Sequence, residues 1–125
     1  MFVFLRIQEK ELTLHQETGS MLIEFDKDYL FELYTVGKTS DKKHRYQPEI
    51  IRGYQKAVFQ LYAANVITDL FQSKALNYEV LKGDKAGISS VRVNDQYRIE
   101  FTMKQILYET VVTICNILEL SNHYK

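Results

Sequence analysis

The stretch that most restricts the fold of this chain is residues 81–101, LKGDKAGISSVRVNDQYRIEF. A Lys-Gly-Asp-Lys turn leads into a strand-like segment over 88–93, an Asn94-Asp95 turn follows, and a second such segment covers 97–102. Val91, Val93, Ile99 and Phe101 alternate with Ser90, Arg92, Arg98 and Glu100. A period of two with one apolar set describes a hairpin with one face buried. If Asn94-Asp95-Gln96 is a three-residue loop, Arg92 and Arg98 stand opposite one another on the other face, within reach of one phosphate. A two-residue loop would separate them. The alternation favours the longer loop, and with it an open concave surface carrying two arginines. Neutralisation of those arginines by Glu79 and Glu100 is the competing expectation.

Around this hairpin, 21–25 (MLIEF) reads as a short strand. Asp26 is placed to cap a helix through Val36, with Tyr29, Leu30, Leu33 and Val36 as its buried stripe and Gly37 as its end. Pro48, after Gln47, starts a longer helix whose buried positions are Ile50, Ile51, Tyr54, Ala57, Val58, Leu61 and Tyr62. Gly53 inside it costs about 1 kcal/mol relative to Ala, so a close approach by another element is expected there. A short helix over 65–73 would be capped by Thr68 or Asp69. Strands are expected over 76–81, 88–93, 97–102 and 107–120. The last is apolar on both alternating sets, as in a central strand or one that bends. The order predicts an α+β fold: two N-terminal helices packed on one face of a four- to five-stranded, mainly antiparallel sheet. Residues 1–20 are expected to form an N-terminal extension, read as an added edge strand, an ordered appendage with a role of its own or the product of an upstream start, and 21–125 the domain.

The chain has 125 residues, with 16 Lys and Arg against 16 Asp and Glu. Its charge is uneven: residues 31–105 hold twelve basic and eight acidic residues, a balance of +4. Any anion-binding face is expected there. Cys115, in an apolar run, reads as a small buried hydrophobe. The three histidines, His15, His44 and His123, have no metal-ligand spacing, so neither a metal nor another cofactor is expected. The apolar start is too short for a signal peptide and no run suits a membrane span, so a cytoplasmic protein without membrane attachment is expected. Gly-rich phosphate loops, G-x-S-x-G and H-E-x-x-H are absent from the sequence. What remains is cationic and aromatic: Lys82 and Lys85 flanking Gly83, the two arginines, and the terminal run Ser121-Asn122-His123-Tyr124-Lys125.

The segment LKGDKAGISSVRVNDQYRIEF resembles the core motif of HigB-type toxins of the RelE/ParE superfamily. There a Leu-Lys-Gly turn leads through a strand and an Asn-containing hairpin to an aromatic-Arg-aliphatic strand, here Tyr97-Arg98-Ile99. The likeness spans about 21–125. It implies a RelE-like fold and the toxin of a type II toxin–antitoxin pair, a ribosome-dependent mRNA endonuclease needing no metal. The 2′-hydroxyl of an mRNA nucleotide would attack the adjacent phosphate. By the same resemblance Arg98 would hold the scissile phosphate, Lys82, Lys85 and Arg92 the RNA backbone, Tyr124 would stack on a base, and His123 would carry the proton. Glu79, standing where such toxins often have a histidine, is the other candidate proton carrier, and His123-Tyr124 invert a common terminal order. The implied partners are a helix-turn-helix antitoxin of HigA type, the ribosome and mRNA, with operator DNA reached only through the antitoxin complex. A non-catalytic antitoxin-binding or DNA-repression partner and a ParE-like gyrase inhibitor are alternatives on the same fold.

Overall fold

The computed structural model describes residues 19–64, 67–107 and 111–122. Strand β1 (Gly19–Phe25) is followed by helices α1 (Asp28–Thr35), α2 (Pro48–Ala63) and α3 (Ile67–Gln72). The two-residue strand β2 (Glu79–Val80), a 3-10 turn (Gly83–Lys85), β3 (Ser89–Arg92), β4 (Tyr97–Leu107) and β5 (Val111–Asn122) complete the described chain. The sheet order is β1-β5-β4-β3-β2, with β1 parallel to β5 and every other pair antiparallel. The expected α+β architecture is therefore present, with five strands.

Local chemistry explains where the elements begin and end. Pro48 opens α2 as expected. Asp26 is not the cap of α1: its N–H still bonds to the Ile117 carbonyl at 2.8 Å, so Asp26 remains committed to the sheet. Lys27, in extended conformation, occupies the cap position without a side-chain bond. Gly37 ends α1 at φ +85, and its N–H returns to the Glu32 carbonyl at 3.1 Å, a left-handed position that costs glycine little. Val36 lies beyond the last buried turn and is exposed. Thr68 and Asp69 are inside α3 rather than capping it.

The helical stripes cover one face of the sheet. Tyr29, Leu30 and Leu33 from α1 meet Ile50, Tyr54, Ala57, Val58 and Leu61 from α2, and both pack on Met21, Ile23, Phe25, Ile99, Phe101, Cys115 and Ile117. Tyr54 is fully buried, and its hydroxyl donates to the Leu30 carbonyl at 2.7 Å, which satisfies it. Cys115 is fully buried, and that burial pushes its thiol pKa up, away from nucleophilic use.

Strand boundaries differ from the sequence reading, most at two places. The expected strand over 76–81 shrinks to β2, because Asn77 adopts φ +44 and breaks the extension. Leu107 ends β4 instead of starting the last strand, since it pairs with Val111 across the β4–β5 ribbon. β5 is both central and bent. Glu100 pairs with Glu119 but Phe101 with Ile117, so Leu118 is an extra residue at a β-bulge. The bulge turns both Ile117 and Leu120 into the core, which accounts for Leu120, while Val112 is buried ahead of the bulge in the other alternating set.

Candidate functional site

The β3–β4 hairpin has the register expected of a three-residue loop. Val91 opposes Ile99, Ser90 opposes Glu100 and Arg92 opposes Arg98. Val93 N–H bonds to the Tyr97 carbonyl at 2.9 Å, and the Asn94 side chain accepts from Gln96 and Tyr97 N–H at 2.9 and 2.7 Å. An Asx-type turn of this kind is why Asn suits the position. Both arginines therefore lie on the face away from the helices.

That face is not the open surface expected. Ser90, Arg98 and Glu100 are buried, with Arg98 only 6% exposed. The segment 76–85 folds over them and supplies acceptors. Arg98 Nε donates to Ser90 Oγ at 2.8 Å, and Nη2 donates to the Asn77 carbonyl at 2.6 Å and the Ser90 carbonyl at 3.3 Å. The Glu79 carboxylate lies 3.4 Å from the same nitrogen. The left-handed turn at Asn77, tolerable for Asn, directs its carbonyl to the guanidinium. Arg92 does not converge with Arg98. It is exposed and pairs with Asp95 of the hairpin loop.

Lys85, at the end of the 3-10 turn, reaches Glu100 at 2.8 Å. That hydrogen bond holds the Lys85 pKa above its ordinary value. Lys82, just before that turn, is also exposed. Across the sheet Glu79, Ser90, Glu100 and Glu119 form one row, with Ser121 beside Arg98 in the next. Arg98 and Lys85 are the cations set against this acidic row. The expectation that Glu79 neutralises an arginine holds for Arg98; Glu100 engages Lys85 instead.

The sequence-based candidates thus divide. Arg98 and Glu79 are brought together, Lys85 is paired with Glu100 on the same face, and Arg92 and Lys82 sit at the rim. His123, Tyr124 and Lys125 lie outside the described residues. Alternation puts Ser90 on the face of Arg98 without revealing that its hydroxyl accepts from the guanidinium, and Asn77 escapes sequence reasoning, since a carbonyl acceptor leaves no signature in residue type. Among the described residues, no three His, Cys, Asp or Glu side chains could hold a metal ion, and no helix is long and apolar enough to cross a membrane.

A second feature lies at the hairpin tip on the helix side. Arg45, Tyr46, Gln47, Glu49, Ile50, Gln96 and Tyr97 line a groove of about 430 Å³. The Tyr46 and Tyr97 rings meet edge to face at 5.6 Å.

Residues 23–113 match the family described as RelE-like toxin of type II toxin–antitoxin system HigB. Toxin HigB-1 of Vibrio cholerae serotype O1 is 35% identical over 85 residues, covering 65% of this chain and 82% of that protein. Among solved structures, the YoeB/ParE toxin from Agrobacterium tumefaciens has a TM-score of 0.48 at 17% identity, over 82% of this chain and 98% of that one. YafQ from E. coli strain BL21(DE3) has a TM-score of 0.45 at 11% identity, over 81% and 91% respectively.

Proposed function

Since the chain belongs to the HigB family of RelE-like toxins of type II toxin–antitoxin systems, we propose that it is a ribosome-dependent mRNA endonuclease. Its activity in the cytoplasm is held in check by a helix-turn-helix antitoxin of HigA type, and operator DNA is reached only through that complex. The observation that carries this reading is the fixed guanidinium of Arg98, tied through Nε and Nη2 to Ser90, Asn77 and Glu79 on a strand face of polar residues. A cation whose position is set before the substrate arrives stabilises a developing phosphorane without reorganisation at the moment of reaction.

The reaction forms a bond from the nucleotide's O2′ to the adjacent phosphorus and breaks the bond from phosphorus to O5′. A 2′,3′-cyclic phosphate and a free 5′-hydroxyl result. The 2′-hydroxyl proton leaves to a base and a proton reaches the departing O5′; His123 is the group we assign to this transfer, with Tyr124 stacking on a base. We assign the RNA backbone to Lys82 and Arg92 at the rim and to Lys85 beside Glu100. Glu79 supports Arg98 in the resting protein and gives way to the phosphate as RNA enters.

Inducing the chain without its antitoxin should arrest translation and leave messages with new 5′-hydroxyl ends, read by 5′-end sequencing. Arg98→Ala should lower cleavage by a factor on the order of 10²–10³. Growth unaffected by the intact protein overturns the proposal. The Glu79–Arg98 contact also favours a second reading, in which the arginine is fully occupied and the chain binds its antitoxin without cutting RNA. Cleavage by the purified protein on programmed ribosomes would exclude it.

A further inference from the structure

The chain carries equal numbers of basic and acidic residues, yet the loop between α1 and α2 concentrates cations. Lys42, Lys43 and Arg45 are exposed, and none is in an ion pair with a described carboxylate. The loop's one carboxylate, Asp41, is occupied locally. It accepts the Lys43 N–H at 2.9 Å and lies 3.1 Å from His44 Nδ1, and those interactions hold its pKa below the usual carboxylate range. A neutral protein that sets three neighbouring cations beside a single carboxylate, Asp41, has a local field suited to a polyanion.

The loop is also fixed in place. His44 stacks on Tyr29 at 3.6 Å and an interplanar angle of 10°. The Tyr46 hydroxyl donates to the Leu120 carbonyl at 3.2 Å. These interactions set Arg45 at the mouth of the groove that Tyr46 and Tyr97 wall at an interplanar angle of 86°. Its volume, about 430 Å³, falls in the small-ligand range of roughly 300–1,000 Å³. Gln47 and Gln96 supply amides at its rim, and Glu49 supplies a carboxylate that can accept from a base's exocyclic amine.

We propose that this groove is a second RNA-binding site, holding a nucleobase against Tyr46 and Tyr97 with the flanking phosphates on Lys42, Lys43 and Arg45. The choice of RNA over an acidic protein segment rests on the nuclease reading above; the site itself rests on the cations and the groove. Tyr97 and Arg98 are consecutive residues of β4, and successive strand residues point to opposite faces. One RNA strand passing round the hairpin tip would touch both. The groove would then position the message for Arg98 without taking part in the chemistry.

The test is fluorescence anisotropy of a short labelled single-stranded RNA titrated with the full chain over a range of salt. Lys42→Ala/Lys43→Ala/Arg45→Ala should weaken binding at least about tenfold. It should also make the logarithmic salt slope shallower by about 2, at roughly 0.7 for each phosphate left without its cation. Lys104→Ala, an exposed cation on β4 outside the groove, should leave both unchanged. The same RNA with its bases removed should bind about tenfold more weakly than the intact strand, as expected when stacking is absent. Equal weakening in the Lys104 variant, equal binding of the abasic strand, or displacement of RNA by polyglutamate at equal charge would overturn the proposal. Ribosomal cleavage by the wild type with RNA binding indifferent to the triple variant overturns this site alone. RNA binding that needs the triple cluster, in a protein that cuts no message, keeps this site and overturns the nuclease reading.

Discussion

Arg98 has two of its guanidinium nitrogens engaged in interactions of very different strength. The bonds to Ser90 and Asn77 are short and enclosed, whereas Glu79, 45% exposed, stands at 3.4 Å. Glu79 is half solvated but Arg98 is buried. That makes the pair worth more than the ~1 kcal/mol of an exposed pair and less than the roughly 3–5 kcal/mol lost when a fully buried pair is broken, and Gln can still accept from the arginine. Glu79→Gln should therefore lower folding stability by about 1–3 kcal/mol in a urea titration. The same change removes the anion that competes with an incoming phosphate, so RNA affinity should rise several-fold, and more at low salt. If Glu79 were instead the proton acceptor, the substitution would cut cleavage by about 10²–10⁴, and a cleavage assay beside the anisotropy separates the two outcomes. At this scale the sequence was partly readable. The register that places Arg92 opposite Arg98 follows from alternation and from Asn94, both local. The closing of that face does not, because it depends on where the Asn77 carbonyl points and on Lys85 crossing fifteen positions to Glu100.

At the scale of elements, the hairpin is held against the helices by an absence of side chain. A Cβ added at Gly53 of α2 would lie 2.9 Å from Val93 Cγ1 and 3.4 Å from its carbonyl. Val93 is β-branched and stiff at χ1, so it yields only by moving the hairpin end. Gly53→Ala gains about 1 kcal/mol of helix propensity but meets an overpacking penalty of about 1–3 kcal/mol, and the net effect should be destabilising. In a Val93→Ala background the obstruction is gone and the same substitution should stabilise, by up to about 1 kcal/mol. Unfolding midpoints of the four proteins in this double-mutant cycle check the reversal of sign. The close approach was foreseeable from a glycine set in a strong helical pattern. The bulge at Leu118 was only half foreseeable: two apolar sets announce a strand that is central or bent, but which residue is extra depends on pairing with β4. Helix caps failed for a related reason, since Asp26 has the chemistry of a cap and is claimed by β5 first.

At the scale of the molecule, one interior ties the helical layer, the sheet and the loop together, and tyrosines run through it. Tyr54 is buried between α1 and α2, Tyr29 lies beneath His44, and Tyr46 reaches Leu120 of β5. Burial is the first cause that raises the pKa of each; Tyr29 is pushed up to about 12, and Tyr46 and Tyr54 move in the same direction. A tyrosine whose folded pKa exceeds its unfolded value of 10.0 keeps its full stabilising contribution below that pH. The contribution is lost as pH rises towards the folded value, because the unfolded chain releases its proton first. Lys85, with its pKa raised by Glu100, acts with the same sign, weakly because it is half exposed. Stability should therefore be flat from neutral pH to about pH 10 and then fall steeply. Each tyrosine that withholds ionisation contributes a slope of about 1.4 kcal/mol per pH unit. In an alkaline titration the phenolate absorbance of these three residues should appear together with the loss of far-ultraviolet circular dichroism. Phenolate signal that developed fully near pH 10 while the circular dichroism stayed native would show that the tyrosines are open to solvent, and that the loop carrying Arg45 and Tyr46 is not held against the sheet.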